Sequence, residues 1–165
     1  MKRIGVVIAV MSLVGAAPAA AMLSKDGSAS PADGPSGVHI TPLSHATIPK
    51  VRAAGEGIRI RTEGPKDMLV TSITVDPGGS FGWHTHPGPV LVSIASGTLT
   101  LVEPKRHGCG HENVTAGHGF IEGGGDVHLA RNDGSTPVQL NATFLARTGT
   151  TEFLTTVPEP RQCHD

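Results

Sequence analysis

The sequence predicts an all-β domain. Short runs rich in Val, Ile and Thr recur at roughly 8–12-residue spacing, clusters of Gly, Pro, Asp and Ser separate them, and no stretch carries the apolar period of an amphipathic helix. The composition agrees, with 22 Gly, 13 Pro and only 16% charged residues. At 165 residues the chain has room for one domain with a core and too little for two.

Residues 1–21 read as a secretory signal. Lys2 and Arg3 form its charged start, Ile4 to Val14 its apolar run, and Ala19-Ala20-Ala21 an A-x-A cleavage site ahead of Met22. An uncleaved anchor is the other reading, but the run falls short of the roughly 20 apolar residues a membrane helix needs. The expectation is therefore an exported protein, periplasmic or extracellular, with no membrane attachment after signal removal. Residues 22–37 are rich in Ser, Ala, Pro and Gly and read as a flexible linker. The folded β domain is expected over 38–157, with an extended tail over 158–165.

Within the domain, Ile58–Arg61 alternates apolar and polar residues. Met68–Val75 is a longer run that ends at Asp76-Pro77-Gly78-Gly79, a strong turn signal. Val90–Ala95 and Thr98–Val102, joined through Ser96-Gly97, read as a hairpin. Phe120-Ile121, Val127–Ala130, Val138–Leu145 and Glu152–Val157 continue the series. This pattern implies a sandwich or a barrel.

Charge and aromatic content exclude some partners. A net charge of −1 offers no basic patch, and four Phe, one Trp and no Tyr offer no stacking surface for bases. Nucleic acid is not expected. The two cysteines, Cys109 and Cys163, suit a disulfide in an exported chain. Such a bridge would tie down the tail and contribute on the order of 2–4 kcal/mol. The run His107-Gly108-Cys109-Gly110-His111, in a Gly-rich loop, is a competing soft-metal reading.

The chemistry centres on histidine. His84 and His86 are two residues apart, so on a strand both rings face one side. Imidazoles suit Zn, Fe, Mn, Ni or Cu. Gly78, His84, His86 and Gly97 match Gly, five residues, His-x-His, then a later Gly. Gly117, Gly125, His128 and Asn132 match a second pattern, Gly, five residues, x-x-Gly, two residues, His, three residues, Asn. Together these resemble the two motifs of the cupin superfamily, in the right order.

That resemblance implies a double-stranded β-helix, the cupin jelly-roll barrel, holding one divalent metal ion (Fe, Zn or Mn) on His84, His86 and His128. Two positions depart from the family pattern. Val90 stands where cupins supply a metal-binding Glu, and Gly123 replaces the usual Pro. Glu122, six residues before His128, is an additional candidate ligand. The implied function is metal binding with dioxygenase-type or other metal-dependent activity on a small molecule. The alternative is a non-catalytic ligand-binding or structural module, and a homodimer is a further expectation. Trp83 and Phe81 read as packing residues; His39, His45, His118 and His164 as surface; Arg131 as a solvated side chain.

Overall fold

The structure is a computed structural model that describes residues 34–164. The expected signal, residues 1–21, and residues 22–33 of the linker lie outside the described residues. The strands are β1 (Ser36–Ile48), β2 (Arg52–Gly55), β3 (Ile58–Arg61), β4 (Lys66–Thr85), β5 (Val90–Ser96), β6 (Thr98–Pro104), β7 (Cys109–Thr115), β8 (Gly119–Glu122), β9 (His128–Arg131), β10 (Val138–Arg147) and β11 (Thr155–Thr156). A single 3-10 turn, Arg161–Cys163, lies in the tail. Strands β2 and β3 form a separate hairpin; the other nine make one sheet, ordered β7-β6-β9-β4-β10-β5-β8 with β1 and β11 also on β4. This sheet rolls into an all-β, nearly closed barrel.

Strand β4 belongs to both walls. Its first half pairs with β1 and β10, and its second half with β9 and β11. Two turn expectations are corrected here. Asp76-Pro77-Gly78-Gly79 does not reverse the chain: β4 runs through it as one 20-residue strand. Gly78 takes φ +73° and its N–H bonds to Asn132 O at 2.9 Å, while Asn132 N–H returns to Gly79 O at 2.9 Å. A glycine-borne bend lets one strand cross from one wall to the other. Likewise Ser96-Gly97 is not a hairpin turn. Strand β5 pairs with β10 and β8, and β6 pairs with β7 and β9, so Gly97, at φ +81°, is a corner between walls. A Cβ there would meet Val138 at 3.0 Å.

The core follows strand alternation. Val90, Val92 and Ile94 of β5, with Val138, Leu140, Ala142 and Phe144 of β10, face inward and are buried. They form the main apolar cluster with Ile73, Val75 and Phe81 of β4. Asn132 is fully buried and structural, its amide donating to Val75 O and Thr136 O at 3.0 and 2.8 Å. The motif Asn thus clamps the bend of β4 to the β9–β10 connection rather than serving chemistry. Cys109 begins strand β7 rather than lying in a mobile loop, and its Cα is 5.1 Å from that of Cys163, within disulfide distance.

Candidate metal centre

Strict alternation along β4 would put His84 outside. Leu69, Thr71, Ile73 and Phe81 all line the interior, and they are odd-numbered. Between Ser80 and Trp83 the β4–β9 register shifts, and Gly82 adopts φ +67°, where a side chain is disfavoured. This bulge switches the parity. Trp83 then packs on the outer face against Val102 and Leu129, whereas His84 and His86 turn inward and are buried. Across the ladder His128 pairs with His84. Cross-strand neighbours share a face, and the ring centroids of His84 and His128 are 4.2 Å apart.

The three rings converge. One nitrogen from each of His84, His86 and His128 lies within 4.8 Å of the others. Each Nδ1 is held by a backbone carbonyl: His84 on Gly82 O at 2.9 Å, His86 on Phe153 O at 2.6 Å, His128 on Asp126 O at 3.0 Å. Since a carbonyl only accepts, each Nδ1 carries the proton, and each Nε2 keeps its lone pair. That is the tautomer a metal ligand needs, oriented in advance.

Glu122 completes the cluster. Strand β8 alternates Phe120 in, Ile121 out (72% exposed) and Glu122 in. The register sets Glu122 directly opposite Val90. The carboxylate absent at position 90 therefore arrives from the neighbouring strand. Its oxygens lie 3.3 Å from His86 Nε2 and 2.9 Å from His128 Nε2. His128 Nε2 is buried and has no hydrogen-bond partner. An orphaned imidazole nitrogen facing a carboxylate is an arrangement that an intervening cation resolves.

Electrostatics follow from burial and these contacts. Burial, with His128 close by, holds the His84 pKa down at about 3, so this ring is neutral. Burial by itself raises Glu122, but His128 and His86 outweigh it and hold the carboxyl at about 2. Burial works to lower His128, and Glu122 reverses the direction and raises it. Three imidazoles and one carboxylate match the donor set of a first-row divalent ion.

The remaining candidates fall outside this cluster. His39 bonds Asp76 at 2.8 Å on the surface, His118 is exposed against Thr115, and Arg131 pairs with Asp133 at 2.8 Å. His45 and His164 are exposed, near Asp67 and Glu159. The signal that could place Glu122 inside is period-two alternation from an inward Phe120. What the sequence did not carry was the cross-strand register with Val90.

Residues 71–144 match the cupin domain family. This is a cupin-domain protein. A search of curated proteins returned no match. Among solved structures, the cupin's neighbours include the cupin domain of an XRE-family transcriptional regulator from Enterobacter cloacae, at 18% identity over 67% of this chain and 97% of that one, TM-score 0.44. A cupin domain from Bordetella pertussis matches at 25% identity over 60% and 92%, TM-score 0.42. Bacillus subtilis oxalate decarboxylase, a protein with Mn(II) centres, matches at 21% over 50% of this chain but only 22% of its own, TM-score 0.44. The matched half of this chain thus covers about a fifth of the decarboxylase chain. No helix among the described residues is long and apolar enough to cross a membrane.

Proposed function

We propose that this cupin binds one divalent first-row metal ion through His84, His86, His128 and Glu122 and presents it to a small molecule. The observation that carries the reading is the set of three Nδ1–carbonyl bonds, which leaves three buried Nε2 lone pairs converging beside one carboxylate. Iron or manganese would supply oxygen chemistry at such a site, and zinc would supply Lewis acidity. The chain's own part is to hold the ligands, exclude bulk water with Phe81, Phe144 and Val90, and leave a cavity beside the cluster. Export is part of the same reading, supported by the Cys109–Cys163 pair, which suits an oxidising compartment.

The test is elemental analysis of protein purified from its own host compartment, beside a His84→Ala/His86→Ala variant. One equivalent of metal in the wild type and none in the variant is expected. Stoichiometric iron then directs oxygen-consumption assays, and zinc directs hydrolytic ones. Equal metal content in both proteins removes the proposal. The origin of the carboxylate has its own check: the swap Glu122→Val/Val90→Glu should recover metal affinity that Glu122→Val loses, because the two positions face each other.

A further inference from the structure

Beside the His–Glu cluster lies a chamber of about 110 Å³, somewhat smaller than a dry cavity of about 150 Å³ known to accept benzene. Its walls are aliphatic and phenyl side chains, among them Phe81, Val92, Ala142 and Phe144. Apart from His84, His86 and Glu122, the single polar side chain lining it is Thr71. That hydroxyl is already spent on Ala142 O at 3.3 Å. Away from the cluster, therefore, no side chain is free to donate a hydrogen bond to a second anionic group. Ile40, half-exposed, and Phe153 mark where the chamber meets solvent.

The charge balance points the same way. A 2+ ion on three neutral imidazoles and one carboxylate keeps a net charge of +1, felt strongly in an apolar enclosure. A monoanion cancels it. A dianion overshoots, and its second charge would lie unpaired among phenyl rings, which burial forbids. The same objection meets amino acids.

We infer that the chamber takes a small monoanionic acid with an apolar body of about benzene size, its head at the His–Glu cluster and its body against Val92, Ala142 and Phe144. The charged half of this inference rests on the metal reading above; the apolar half stands on the cavity alone.

The full chain loaded with zinc, its stoichiometry established first, is titrated by calorimetry with benzoate, acetate, malonate and benzyl alcohol. Benzoate is expected to bind about tenfold or more tighter than each of the others. Ala142→Leu, which fills the chamber, should weaken benzoate about tenfold while leaving acetate affinity and zinc stoichiometry unchanged. Malonate or acetate binding as tightly as benzoate overturns the inference, as does unchanged benzoate binding to folded Ala142→Leu. Should Ala142→Leu fail to fold, Val92→Ala decides: 2-naphthoate should gain at least about threefold relative to benzoate, and no gain overturns it. If zinc does not bind, the metal reading fails and the charged half with it. Toluene added to the zinc-free protein then decides the apolar half, a saturable rise in melting temperature supporting it and no rise overturning it.

Discussion

At the scale of single residues, two carboxylates are held ionised by the donors around them, one at the candidate metal centre and one far from it. Glu122 faces imidazoles, and its loss strikes the metal site. Glu122→Gln is expected to lower zinc affinity by at least the roughly 10–100-fold that loss of an outer-shell partner costs, read by competition with a chromophoric chelator. Asp67 is remote from the site and accepts the Gly149 N–H at 2.7 Å and the Thr47 hydroxyl at 2.8 Å. Those two bonds, led by Gly149 and aided by nearby His45, hold its pKa below the usual carboxylate value. A carboxyl depressed in the folded state contributes stability above its unfolded pKa and loses it as pH falls through its folded pKa. The urea midpoint of wild type should therefore exceed that of Asp67→Asn by a constant margin above about pH 5, and the margin should shrink below about pH 4. A margin independent of pH would show that Asp67 acts through shape and not charge.

At the scale of elements, the decisive feature is the irregularity in β4. Period-two alternation is readable in Val90–Ile94 and Val138–Phe144, and the structure keeps it there. It fails between Phe81 and His84, where the Gly82 bulge changes which residues face inward. Gly82→Ala should cost about 1–2 kcal/mol, since an L-residue pays that much in the left-handed region. It should also weaken metal binding, because Gly82 O holds His84 Nδ1. A denaturation curve and a zinc titration on the same sample check both, and loss of stability with metal affinity intact would uncouple the bulge from the site. Local sequence also misled at Asp76-Pro77-Gly78-Gly79 and Ser96-Gly97. Both have turn composition, and the same glycines that permit a reversal permit a bend or a corner. Strand β7 and the hairpin partner β2 carried no clear alternation, since Cys109–Glu112 and Arg52–Gly55 have almost no buried residues to create one.

At the scale of the whole molecule, the C-terminal segment fastens the barrel to its site. Phe153 O holds His86, Val157 N–H bonds Trp83 O at 2.9 Å, Thr155 and Thr156 pair with Thr85 and His84, and Cys163 reaches Cys109. Cys163→Ser is expected to lower stability by about 2–4 kcal/mol, read as a shift in denaturant midpoint, with no free thiol titrating in the wild type. Equal midpoints would mean that packing, not the cross-link, secures the tail. The all-β class, the three histidines that converge and the two cysteines that come within disulfide distance were legible in the sequence, through composition, the two cupin-like motifs and a two-member cysteine set. Tertiary structure decided the rest. That His128 stands beside His84, that Glu122 stands opposite Val90, and that the space beside them is apolar all depend on strand register and wall curvature. These come from pairings dozens of residues apart in the chain, such as His84 with His128, and no local pattern encodes them.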